Sequence, residues 1–140
     1  MTEKKYAVRY LSKTGNTKKL AEQIAVTLGC KAATVDQRIQ APADLLFIGA
    51  SVYWGGIDPA VKTFLKNLDQ KQVKKVVVFS TSAFTERAFP GIQKLLTEKG
   101  IGVSEENFYC RGQFKMMHKG KPDAQDLKDA AIFAGKFIED

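Results

Sequence analysis

The sequence predicts an α/β domain in which a parallel β-sheet is covered by helices on both faces. Three observations carry this reading. Segments of strand length, rich in β-branched and aromatic residues, alternate along the 140-residue chain with segments of helical periodicity. Two of the strand-like runs, Leu45–Ile48 and Val76–Phe79, are apolar at every position, as strands buried on both faces should be. Glycines, a proline and aspartates stand where the helices should start and stop.

Taken in order, Tyr6–Leu11 is the first strand, and Arg9 in its middle is the exception, a charge where an apolar side chain is expected. From about Asn16, the residues Leu20, Ile24 and Leu28 share one helix face, and Gly29 ends that helix. Lys31–Val35 is the second strand, and a loop without helical period leads to the third, Leu45–Val52. Val61, Phe64, Leu65 and Leu68 follow the i, i+3, i+4, i+7 pattern of a second helix. Val76–Ser80 is the fourth strand; Pro90 suits the first turn of the next helix, which carries Ile92, Leu95 and Leu96 and stops at Gly100. Phe108–Cys110 is the fifth strand, and no inserted segment is expected to interrupt it. Asp123 and Asp126 resemble an N-cap and its third residue, opening a last helix with the apolar stripe Leu127, Ala131, Ala134 and Ile138. No repeat, low-complexity tract or linker divides the chain, so residues 1–140 read as one domain.

Composition removes several classes of function. No apolar run reaches the roughly 18–20 residues of a membrane span. Met1–Lys5 leads straight into a strand, without the apolar segment of a secretory signal. Cys30 and Cys110 form no Cys-x-x-Cys pair, which disfavours a disulfide scaffold, a thioredoxin-type centre and a cysteine-rich zinc site, so a reducing cytoplasm is the expected location. The net charge is +7, from 22 Lys+Arg against 15 Asp+Glu. The lysines are scattered along the sequence, form no basic stripe on a helix and are not interleaved with aromatics, which disfavours nucleic acid as a partner.

In a parallel sheet of this kind ligands bind beyond the carboxyl ends of the strands, so the segments of interest are Ser12–Thr17, Ser51–Asp58, Thr81–Phe89 and Arg111–Lys121. The first is the most informative. Ser12, Thr14 and Thr17 offer hydroxyls, Asn16 an amide, and Gly15 a backbone free to turn its neighbours' N–H groups inward. The helix that follows adds its positive end, and Lys13, Lys18 and Lys19 raise the local potential. This is donor chemistry for a monophosphate. The string matches neither the G-x-x-x-x-G-K-[ST] loop nor the G-x-G-x-x-G turn.

Ser12-Lys13-Thr14-Gly15-Asn16-Thr17 resembles the [TS]-x-T-G-N-T fingerprint of the short-chain flavodoxins, an FMN-binding family, at every specified position. The resemblance implies a doubly wound three-layer sandwich with a five-stranded sheet in the order 2-1-3-4-5. It implies an FMN phosphate held by Ser12, Lys13, Thr14, Gly15, Asn16 and Thr17. It further implies that Ser51, Val52, Tyr53, Trp54, Gly55 and Gly56 flank the isoalloxazine, with Trp54 or Tyr53 stacked on it, and that Thr81, Ser82, Ala83 and Phe84 meet its pyrimidine edge. The partner implied is a redox protein or a small electron acceptor, such as a quinone or, in one relative of this frame, protoporphyrinogen. The acidic residue and tyrosine common in the third loop of flavodoxins have no clear equivalents here, and basic surroundings stabilise an anionic reduced flavin, which favours two-electron chemistry. Arg111–Lys121, with the sole histidine His118, reads as a lid or partner surface. The alternative is a phosphate- or nucleotide-sensing module that keeps the fold without redox use.

Overall fold

A computed structural model describes residues 4–12, 15–39, 41–52, 57–82, 89–111, 120 and 122–139. The chain runs through β1 (Tyr6–Tyr10), α1 (Asn16–Leu28), β2 (Ala32–Thr34), β3 (Ala43–Val52), α2 (Pro59–Lys66), β4 (Val73–Ser82), α3 (Phe89–Glu98), β5 (Gly102–Val103), β6 (Phe108–Arg111) and α4 (Ala124–Glu139). All strand pairs are parallel. The order is β2-β1-β3-β4, with β5 and β6 both on the outer side of β4, so the predicted 2-1-3-4-5 arrangement holds with its fifth position shared by two strands. β5 lies along the start of β4, pairing Val76 with Val103, and β6 along its end, pairing Phe79 with Phe108. The predicted strand Phe108–Cys110 is continuous as β6, and the two-residue β5 before it is an element the sequence reading did not include. The outer chain spends five residues where β4 spends three, and the excess leaves the ladder at Ser104–Asn107. Ser104 N–H still reaches Val76 O at 2.8 Å, and its hydroxyl accepts from Glu106 N–H at 3.2 Å to turn the chain.

Strand alternation sends Val8, Phe47, Val77 and Phe79 to one face, under α1 and α4, and Leu46, Ile48, Val76 and Val78 to the other, under α2 and α3. On the first face Phe47 meets Phe133 and Phe137 edge-on, at ring-centroid distances of 6.5 and 5.4 Å. That contact sets the rotation of α4. Its buried stripe is Ala130, Phe133, Ala134 and Phe137; of the predicted Leu127, Ala131, Ala134 and Ile138, Ala134 is buried in it and Leu127 packs half-buried against it, whereas Ala131 is only half-buried and Ile138 is 46% exposed. Turning the two phenylalanines inward buries more apolar area than turning in an alanine and an isoleucine. Asp123 and Asp126 cap the helix reciprocally as expected, at 2.9 and 3.0 Å.

The second face has no helix between β2 and β3. Arg9, on that face of β1, donates from Nε to Gln37 O at 2.9 Å, from Nη2 to Arg38 O at 3.0 Å and from Nη1 to Val8 O at 3.0 Å. The charge in mid-strand is therefore a clip that holds the return loop over a strand that lacks a covering helix. Between that loop and α2 lies an open cleft of about 920 Å³, walled by Leu11, Val35, Ile39, Ala60, Phe64 and Asn67 among others.

Candidate functional site

The carboxyl ends of β1, β3, β4 and β6 and the starts of α1, α2 and α4 gather at one end of the sheet, because every connection is a parallel crossover. The helix starts there differ in kind. α2 starts behind Asp58, whose carboxylate accepts from Ala60 N–H at 2.8 Å, and α4 starts on the Asp123–Asp126 pair. α1 starts behind Gly15 at φ 90°, with no side-chain cap and no acid in its first turn, where Lys18 and Lys19 stand instead. A left-handed backbone of this kind suits glycine, and the turn is braced by Gly15 N–H donating to Ser12 Oγ at 3.0 Å. Two lysines beside a positive helix end repel it, and an anion bound at that end relieves the repulsion.

Asn16 and Thr17 are buried beneath this turn. The Thr17 and Thr81 hydroxyls share a hydrogen bond at 3.0 Å, joining the first predicted segment to the third across the end of β4. Backbone pairing aligns Ser51 with Thr81 and Val52 with Ser82, so the second and third segments leave the sheet side by side. The structure thus brings Ser12, Gly15, Asn16, Thr17, Ser51, Val52, Thr81 and Ser82 to one end of the sheet. Lys13, Thr14, Tyr53, Trp54, Gly55, Gly56, Ala83 and Phe84 lie outside the described residues, as does His118.

Two residues that sequence reasoning did not single out shape the floor. A Cβ on Gly49 would overlap the Phe79 ring and stand 3.0 Å from Thr17 Cγ2, so this glycine lets the first turn of α1 settle onto the sheet. A lone glycine inside the apolar run Leu45–Ala50 was the available signal. Ser80 Oγ is buried without a hydrogen-bond partner among the described residues, one position below Thr81. The cysteines stay outside this chemistry: Cys110 is core, and burial pushes the Cys30 thiol up, with Arg9 opposing in part.

A family model described as a flavodoxin domain matches residues 7–137. The chain belongs to the flavodoxin-domain family. Solved structures agree on the fold. A flavodoxin from the domain Archaea is 19% identical with a TM-score of 0.77, with 96% of each chain covered. Flavodoxin 2 from Bacillus cereus, in its oxidised form, is 21% identical at a TM-score of 0.72, over 96% of this chain and 98% of that one. Rubredoxin oxygen:oxidoreductase from the anaerobe Desulfovibrio gigas is 17% identical at 0.73, and the match covers 96% of this chain but 36% of the larger one. No curated protein matches the chain. Flavodoxin family members bind a flavin, usually FMN, and among the described residues no helix is long and apolar enough to cross a membrane.

Proposed function

We propose that this flavodoxin-domain protein binds FMN at the carboxyl end of its sheet and serves as an electron carrier or small flavin oxidoreductase in a reducing compartment, with residues 1–140 acting as one domain. The observation that carries this reading is the start of α1, which alone among the described helix starts at that end combines a left-handed glycine, no capping side chain and two lysines. The donor set fits a phosphate monoester. Ser12, Lys13, Thr14, Gly15, Asn16 and Thr17 would hold it through hydroxyls, an amide and backbone N–H groups. Ser51–Gly56 and Thr81–Phe84 would flank the ring, with Trp54 or Tyr53 as the aromatic wall. FMN supplies the electron chemistry, and the protein supplies position and field.

The chain's own contribution is electrostatic. Among the described residues at this end, Asp58 and Asp123 are engaged at helix starts, Asp58 with Ala60 and Asp123 with Asp126, and Asp36 past β2 accepts from the Thr34 hydroxyl, while Lys18 and Lys19 are exposed beside the turn. That balance favours a negatively charged reduced cofactor over a neutral one and supports transfer of electrons in pairs. The acceptor is a redox protein or a small molecule. The named neighbours, two flavodoxins and an oxidoreductase, share the fold on which this reading rests.

The deciding experiment is the visible spectrum of the purified protein, followed by titration with FMN and with riboflavin. The expected result is a yellow protein that binds riboflavin about a hundredfold more weakly, since two or more hydrogen bonds to a charged group are lost. A colourless protein that ignores FMN but binds inorganic phosphate would replace this reading with a phosphate-sensing module.

A further inference from the structure

The end of the sheet opposite the candidate site collects lysines that are scattered in the sequence. Register aligns Lys5 of the chain entering β1 with Asp44 of β3 and Asp44 with Lys74 of β4, and Lys31 enters the neighbouring β2. With strands about 4.8 Å apart, Lys5, Asp44 and Lys74 form a row about 10 Å long across the sheet edge, and Lys31, opposite Ala7, stands two residues further along the sheet. Lys71 and Lys75 stand beside its far end, and Lys5, Lys31, Lys71, Lys74 and Lys75 are all exposed. Two more have local work: Lys4 Nζ donates to Phe137 O at 2.9 Å, and Lys99 Nζ to Lys66 O, where helices end. Acids are fewer. Asp44 lies inside the row, accepting from Lys5 N–H at 2.7 Å and pairing with Lys74 Nζ at 3.1 Å, while Asp69 and Glu98 are exposed nearby.

Two further features narrow what this pole meets. Among the described residues the arginines, Arg9 in mid-strand, Arg38 in the loop after β2 and Arg111 at the end of β6, all lie away from it, so none of these residues brings to it the planar fork that reads nucleic-acid phosphates and bases. Among the described residues the exposed large apolar side chains are Val26, Ile132 and Ile138; Val26 (75% exposed) and Ile138 lie in the last turns of α1 and α4, at this same end, and none is aromatic. Flexible ammonium groups flanked by aliphatic side chains suit a surface of anionic headgroups over an apolar layer.

We propose that this pole docks the protein on an anionic lipid surface. The ten-residue strands β3 and β4 then hold the opposite end roughly 33 Å above the headgroups, facing the aqueous phase, so its redox partner arrives from water. The inference does not depend on FMN binding and is tested on the protein with or without cofactor.

The test is co-sedimentation with vesicles of phosphatidylcholine containing about one-third phosphatidylserine, against vesicles of phosphatidylcholine alone, at about 0.1 M and about 0.5 M salt. Binding is expected only with phosphatidylserine and is expected to fall steeply with salt. Lys31→Gln, Lys71→Gln and Lys75→Gln together should weaken it on the order of a hundredfold, at about fivefold per lysine. An equal charge change on the helix flanks, Lys62→Gln, Lys94→Gln and Lys128→Gln, should leave it within a few-fold. Val26→Asn with Ile138→Asn should weaken vesicle binding but not binding to duplex DNA. No binding to the anionic vesicles, or equal losses from the two lysine triples, would overturn the proposal. Tighter binding to duplex DNA than to vesicles, insensitive to the Val26 and Ile138 changes, would replace it with a nucleic-acid surface.

Discussion

Under α1 and α4 the sheet is covered by interlocked rings, Phe47 against Phe133 and Phe137, with no polar side chain needed to hold β1 in place. Under α2 and α3 the same strand has only a loop above it, fastened by the Arg9 guanidinium and bordered by the cleft beside Phe64. A strand in a parallel sheet needs cover on both faces, and the chain meets that need once by packing and once by hydrogen bonds. The candidate phosphate turn belongs to the packed face. Gly49, Phe79 and Thr17 stack there directly beneath it, so its geometry is set by core packing rather than by the looser loop on the other side.

This contrast can be broken by experiment. The largest expected effect is Phe47→Ala, at about 3–5 kcal/mol in urea unfolding, whereas Phe64→Ala at the half-buried edge of the cleft should cost less than about 2 kcal/mol. Equal costs would mean that the two faces are packed alike. Next comes Gly49→Ala, expected to destabilise by about 1–3 kcal/mol, because the fully buried Phe79 ring has nowhere to move. Calorimetry should also show weaker FMN binding for that variant, since Thr17 is displaced with the first turn of α1. Arg9→Met should cost about 1–2 kcal/mol and speed amide exchange in residues 35–39, and Arg9→Lys should rescue it only in part, because one ammonium nitrogen lacks the separate, parallel Nε and Nη2 donors that meet the two carbonyls. Protection of that loop unchanged in either variant would remove the clip from the account.

The smallest effect is a pH dependence. Asp44 is held below the ordinary aspartate value, first by the Lys5 backbone N–H and then by Lys74. A lowered pKa means that its stabilisation is full above the ordinary value and is lost as pH falls through the lower value in the folded protein. The wild type should therefore lose stability over that acidic interval more steeply than Asp44→Asn, as followed by thermal melts. Parallel curves would show that Asp44 contributes nothing measurable.

Much of this was legible in the sequence, and the exceptions have physical causes. The continuous apolar runs at Leu45 and Val76 and the caps at Asp123 and Gly29 are local signals, and the structure keeps them; of the hydroxyl-rich turn after β1 it describes Ser12, Gly15, Asn16 and Thr17. The rotation of α4 was not legible, because Leu127–Ile138 carries apolar residues on more than one flank and partners distant in sequence, Phe47 and Phe108, select between them. Arg9 was visible as an anomaly but not as a clip, since its acceptors are backbone carbonyls that any sequence possesses. At the candidate site the donors of the first turn could be read directly. The Thr17–Thr81 bond and the place of Gly49 under α1 depend on residues far apart in the chain.

The divided fifth position has a consequence for how molecules of this protein meet each other. A sheet's outer strands expose unpaired amides to any passing chain, and long flat edges recruit strands from neighbouring molecules. Here one border is the three-residue β2, and the other is broken between β5 and β6 by the turn at Ser104–Asn107. Among the described residues neither offers an incoming strand more than four consecutive residues to zip against. The interruption guards the concentrated protein against edge-to-edge aggregation.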